Sequence, residues 1–142
     1  YEDHAGTLWI GTEGGLNSFD RRTEKFLQYG QIQESVKRAI VSILEDDSGK
    51  LWLAHWEGLM VIDPMDPDYY KYYDDHDRIL GGFFYNNVCL KDREGLLWFG
   101  GSDGFNRIDA RMLSQSTVRP PVIIKDFQLF GKTVPFGEAL NN

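Results

Sequence analysis

Cysteine, proline and positive charge are all scarce in this chain. Of 142 residues one is Cys and five are Pro, and 15 Lys and Arg stand against 22 Asp and Glu, for a formal net charge of −7. A lone thiol cannot close an internal disulfide, and Cys89, set in Asn87-Val88-Cys89-Leu90, reads as a small buried hydrophobe. The shortage of cations excludes a nucleic-acid groove, because phosphate binding is driven by clustered Lys and Arg that release counterions. It equally disfavours contact with an anionic membrane. No apolar run approaches the ~18 residues of a membrane helix. The opening Tyr1-Glu2-Asp3 carries neither an initiator Met nor a leader, so the chain reads as starting inside a longer protein, and its missing signal says nothing of secretion.

What is present is 42% hydrophobic and 14% aromatic residues with 15 Gly, the composition of a packed chain of ordinary domain length. A repeat changes that reading. Asp3-His4-Ala5-Gly6-Thr7-Leu8-Trp9-Ile10-Gly11 returns as Asp46-Asp47-Ser48-Gly49-Lys50-Leu51-Trp52-Leu53-Ala54 and as Asp92-Arg93-Glu94-Gly95-Leu96-Leu97-Trp98-Phe99-Gly100, with the Trp residues 43 and then 46 positions apart. In the same register fall Gly15, Gly58 and Gly104, then Leu16, Leu59 and Phe105, then Asp20, Asp63 and Asp109. Phe26 and Tyr29 match Tyr69 and Tyr72.

Each part of the unit has a physical task. Asp3, Asp46 and Asp92 open turns in which a short carboxylate accepts nearby backbone N–H groups and Gly takes a positive φ. Leu-Trp-Ile-Gly-Thr is a strand, a Gly-ended turn follows, and Leu16 to Asp20 or Leu59 to Asp63 is its antiparallel partner. Phe26 to Tyr29 and Tyr69 to Tyr73 supply an aromatic outer strand, while Ala39 to Glu45 and Tyr85 to Lys91 supply inner ones. Four short strands in a unit of this length match a β-propeller blade, which buries its faces only by stacking on neighbours. Trp9, Trp52 and Trp98 suit that stacking, since a flat ring fills the gap between sheets. The expected fold is therefore all-β, a partial β-propeller of about three four-stranded blades. A closed propeller needs at least four blades, so the length is that of a cut piece.

The stretch from Asp3 to Asp20, Asp-x-x-Gly-x-Leu-Trp-Ile-Gly-Thr-x-x-Gly-Leu-x-x-Phe-Asp, resembles the two-component regulator propeller repeat. The second copy departs at Ala54, His55 and Met60, and the third at Gly101 and Phe105. After Asp109-Ala110 no aromatic fourth strand follows; Arg119-Pro120-Pro121-Val122-Ile123-Ile124-Lys125-Asp126-Phe127 instead resembles the opening of the Y_Y_Y domain. The resemblance implies blades over residues 1–117 (units of about 1–35, 36–78 and 79–117) and the first strands of an immunoglobulin-like β-sandwich module over 118–142. It also implies a periplasmic, non-catalytic sensor segment of a bacterial hybrid two-component histidine kinase, many of which respond to polysaccharide fragments.

Candidate chemistry is thin. Gly100-Gly101-Ser102-Asp103-Gly104 matches the Gly-x-Ser-x-Gly elbow of hydrolases, but the same slot in the other units is a strand-to-strand turn without the helix that the elbow requires. Asp47 to Trp52 resembles half of an Asp-box, a pattern that fits only one of the three copies. Asp63 to Asp68 and Asp74 to Asp77 lack EF-hand spacing and read as solvated turns. His4, His55 and His76 form no metal-ligand pair, so neither a metal site nor a cofactor is expected.

Trp56 differs from the repeat tryptophans, because its register equivalents are Glu13 and Ser102 and no stacking rule demands it. In propellers the turn that carries it shares a rim with the lead-in to each inner strand, and loops on a rigid scaffold concentrate binding residues. Arg38, His55, Trp56, Glu57, Tyr85, Asn86 and Asp103 are accordingly expected to converge there, with an oligosaccharide as ligand. A secreted glycan-active lyase or hydrolase, or a protein-binding scaffold, is the alternative. The remaining blades and the Y_Y_Y domain of a parent chain are the expected partners. The exposed end faces predict self-association.

Overall fold

The computed structural model describes residues 1–29, 39–80, 82–114, 128–129 and 132–133. It is all-β with almost no helix. Three antiparallel meanders follow one another along the chain, and no barrel closes among the described residues. The first holds β1 (Leu8–Thr12), β2 (Gly15–Asp20) and β3 (Lys25–Tyr29); the second β4 (Ile40–Glu45), β5 (Leu51–His55), β6 (Gly58–Asp63) and β7 (Asp66–Tyr73); the third β8 (Phe84–Lys91), β9 (Leu97–Gly101) and β10 (Gly104–Ile108). After β10 a short helix, α1 (Ala110–Ser114), stands where the second meander has its outer strand. The hairpin of β11 (Gln128–Leu129) and β12 (Lys132–Thr133) is all that is described of residues 118–142.

The first meander has three strands where four are expected. Tyr1 and Glu2 nevertheless take the place of the last two residues of an inner strand. The Tyr1 amino group donates to the Trp9 carbonyl at 2.9 Å, the Trp9 N–H donates to the Tyr1 carbonyl at 2.7 Å, and Glu2 bridges Leu8. Trp9, Trp52 and Trp98 thus hold one register against Tyr1, Leu44 and Leu90.

The meanders stack in chain order. One apolar cluster, containing Trp9, Leu16, Ile40, Leu53 and Met60, lies between the first and second sheets. A second cluster, containing Leu44, Trp52, Leu59, Leu97 and Phe99, lies between the second and third. The middle sheet is covered on both faces. All five residues of β5 and the first five of β6 are buried, which is why Leu51 to Ala54 and Leu59 to Ile62 are apolar without alternation. β9, with one covered face, alternates.

The repeat aspartates do more than shape their turns. Asp46 Oδ1 accepts from the backbone N–H of Ser48 at 2.8 Å and of Lys50 at 3.1 Å, while Oδ2 accepts the Trp52 indole N–H at 2.9 Å. Asp3 holds Thr7 and Trp9 in the same way, and Asp92 holds Glu94, Leu96 and Trp98. Trp9 and Trp52 therefore enter the space between sheets with their one polar atom already paired, as a buried indole requires, while Trp98, paired in the same way, lies partly exposed on the outer face of the third sheet. The second repeated acid closes another turn in each unit: Asp20 accepts from Arg22 N, Asp63 from Met65 N and Asp109 from Arg111 N.

Candidate functional site

The meanders set their loops at one end of the second and third sheets. β5 ends on His55, Trp56 and Glu57 form the turn, and β6 begins at Gly58, where a Cβ would stand 2.5 Å from the Tyr73 carbonyl oxygen. His55 is buried, its ring edge-on to Tyr72 with centroids 5.7 Å apart. Its Nδ1 accepts the Glu57 N–H at 3.2 Å, which puts the proton of the neutral ring on Nε2. With His55 anchored below, the Trp56 ring is turned outward and is 57% exposed.

Facing that turn is the lead-in to β8. Gly82 takes a φ of +93°, and a Cβ there would stand 2.2 Å from Ser102 Oγ, so only glycine lets this segment lie against the β9–β10 turn. Phe83 is pinned to that turn from both sides: its N–H donates to Ser102 Oγ at 3.1 Å and its carbonyl accepts the Ser102 N–H at 2.9 Å. The Phe83 ring then meets Trp56 edge to face, with centroids 6.4 Å apart and planes at 89°.

Between these segments lies an open cavity of about 740 Å³ lined by His55, Trp56, Glu57, Tyr72, Tyr73, Asp74, Asp75, Ile79, Leu80, Gly82, Phe83 and Phe84. Its charged lining groups among the described residues are the carboxylates of Glu57, Asp74 and Asp75. Asp74 also organises the loop that follows β7. Its side chain accepts the His76 N–H, and the Asp77 side chain accepts the Asp74 N–H, so the two acids cap the single 3-10 turn Asp75–Asp77. Asp74, Asp75 and His76 are close together and all exposed. Flat rings beside carboxylate acceptors suit a neutral, hydroxyl-rich ligand. An anion would meet like charge.

Of the residues expected at this rim, His55, Trp56 and Glu57 line the cavity together. Asp103 stands two hydrogen bonds from the lining, accepting from Ser102 Oγ at 3.0 Å, which in turn accepts the Phe83 N–H. Tyr85 and Asn86 lie on β8 outside the lining, exposed, and the Tyr85 carbonyl accepts from Ser42 Oγ at 3.2 Å. Arg38 falls outside the described residues. Phe83, Tyr72, Asp74 and Asp75 are not among the residues expected at this rim. The signal for Phe83 was present, as an aromatic residue directly after the turn-forming Gly82, but the register break in β8 between Phe84 and Cys89 obscures where that strand begins. The acids read only as solvated turn residues.

Ser102 sits in a turn leading into β10, with its hydroxyl engaged by Phe83 and Asp103, so the hydrolase pattern around it marks a strand-to-strand connection. Cys89 is half-buried between β4 and β8, its Sγ 3.8 Å from the Ile43 carbonyl, and burial pushes its thiol pKa up, away from the reactive thiolate.

No family model matches the chain. It is 27% identical over 99 residues to histidine kinase P4 of Formosa agariphila, a stretch covering 70% of this chain and 7% of that protein. Among solved structures it is similar to the extracellular domain assigned to the hybrid two component system BT3049 from B. thetaiotaomicron, with a TM-score of 0.78 and 24% identity over 97% of this chain and 20% of that one. It is also similar to the corresponding domain of BT4673 from the same organism, with a TM-score of 0.66 and 27% identity over 79% of this chain and 17% of that one. The first of these likenesses defines the fold. The chain thus spans a fifth or less of the length of each of these relatives. Among the described residues no helix is long and apolar enough to cross a membrane.

Proposed function

We propose that this chain is a non-catalytic part of the periplasmic sensor region of a hybrid two-component histidine kinase. In this reading its three sheets are consecutive propeller blades over residues 1–117, and residues 118–142 begin a Y_Y_Y module. The observation that supports it most is the agreement of two separate likenesses: sequence similarity to a histidine kinase, and structural similarity to extracellular domains of two-component systems. The cavity beneath Trp56 and Phe83 would take a neutral oligosaccharide, its pyranose face against a ring and its hydroxyls donating to Glu57, Asp74 or Asp75. Ligand binding would bias the packing of propeller and following module, and the kinase would read that bias as a population shift.

The test uses the intact receptor with a panel of neutral oligosaccharides, followed by titration calorimetry and product analysis. Binding heat without product is expected. Trp56→Ala should weaken binding roughly tenfold, the loss of about 1.4 kcal/mol that one stacking ring supplies, and leave the melting temperature unchanged. Product formation would point to a glycan-active enzyme. Unfolding of Trp56→Ala would place Trp56 among the packing tryptophans.

A further inference from the structure

Three positions of the third unit that differ from their register equivalents meet the same stretch of chain. Thr12 and His55 are matched by Gly101, Glu13 and Trp56 by Ser102, and Asn17 and Met60 by Asn106. Met60 is fully buried in the apolar layer between the first and second sheets. Asn106 holds the corresponding place between the second and third, buried opposite its cross-strand partner Phe99, a member of the apolar cluster there. An amide in such a layer costs stability unless its polar atoms are engaged. Asn106 Oδ1 is engaged by the loop that leads into β8, accepting the Leu80 N–H at 2.8 Å.

Ser102 and Gly101 hold the other end of that loop. The Ser102 hydroxyl accepts the Phe83 N–H, and its backbone N–H donates to the Phe83 carbonyl. A Cβ on Gly101 would stand 2.6 Å from the same carbonyl oxygen, so the side chain that Thr12 or His55 carries has no room at this place. The loop leaves β7 of the second sheet at Asp74, yet at Leu80 and Phe83 it is fastened to the third. Of the two rings that meet over the cavity, Trp56 therefore belongs to the second sheet and Phe83 is held by the third. Neither Ser102 nor Asn106 lines the cavity.

We propose that Ser102 and Asn106 are positioning residues of this site, which fasten the loop from outside the cavity and so set the Phe83 ring against Trp56 before a ligand arrives. The ring itself is 63% exposed, and packing alone does not fix it. A wall free to move loses backbone and rotamer freedom when a ligand closes on it, and that loss is subtracted from affinity. Two fastenings on a rigid sheet remove most of it in advance. This role rests on the ligand reading of the cavity and adds to it two residues that touch no ligand.

Titration calorimetry of the intact receptor with the panel of neutral oligosaccharides tests this, together with amide exchange of the ligand-free receptor. Asn106→Met installs the side chain of the second unit and fills the layer without the acceptor. Ser102→Ala, at an exposed position, removes the hydroxyl and keeps the backbone bond. Each should weaken binding roughly fivefold at an unchanged melting temperature, and exchange should quicken at Leu80 in the first and at Phe83 in the second. Ser102→Thr, which retains the hydroxyl, should bind as the native receptor does. In a Phe83→Ala background neither change should weaken binding further, because both act through that ring. Equal losses in the two backgrounds overturn the proposal. A native receptor that binds none of the panel sinks the ligand reading instead; quickened exchange then still upholds the fastening of Phe83, and unchanged exchange overturns it.

Discussion

At the scale of single residues, the unit is organised by one carboxylate and one indole. Asp46 satisfies two backbone donors of its turn and the Trp52 N–H, and Trp52 in turn lies parallel to Tyr73 with ring centroids 5.5 Å apart. Asp46→Ala leaves a buried indole N–H and two turn amides without their acceptor, so a loss of about 3 kcal/mol is expected in urea unfolding. The same change at Asp92 should cost less, because Trp98 is less buried than Trp52 and water can replace the lost acceptor. Equal losses would show that the carboxylate matters for turn shape and not for the indole. The Asp and Trp of each unit were legible as a repeat in the sequence. Their hydrogen bond was not, because a spacing of six residues has no local geometry until the turn between them is built.

At the scale of the strands and turns, the sheets are joined by charged groups at the margin of apolar clusters. The Glu45 carboxylate, through its hydrogen bond and charge, holds the His4 imidazole above its ordinary pKa of 6.5. A group raised on folding stabilises fully below its unfolded value and loses that contribution as pH rises through its folded value. The melting temperature of the native chain minus that of His4→Gln should therefore be largest below about pH 6.5 and shrink on the alkaline side. His4 is largely exposed, so the effect is small, but its sign is fixed. A difference that grows with pH would mean that Glu45 does not hold the imidazolium. The strands themselves followed from the repeat, Gly-ended turns and aromatic spacing. Helix α1 did not, because Ala110–Ser114 is too short to carry a helical period. The β8 lead-in was also hidden, since the local register break depends on how Phe84 meets Gly101 across the sheet.

At the scale of the whole molecule, stability is distributed unevenly along the stack. The second sheet is covered on both faces, while the first and third each leave one face open. Amide exchange should accordingly be slowest in β5 and β6 and faster in β1 and β10. Uniform protection would mean that the outer faces are covered too. The sequence by itself determined the repeat, the all-β class, the order of strands and the place of the repeat tryptophans in each unit, because these depend on residue type at short and regular separation. Tertiary structure alone decided which face of each sheet is covered, how Trp56 comes to lie against Phe83, and which charged residues clasp neighbouring sheets. Those outcomes arise between groups dozens of residues apart, where only the stacking of one meander on the next sets the distance.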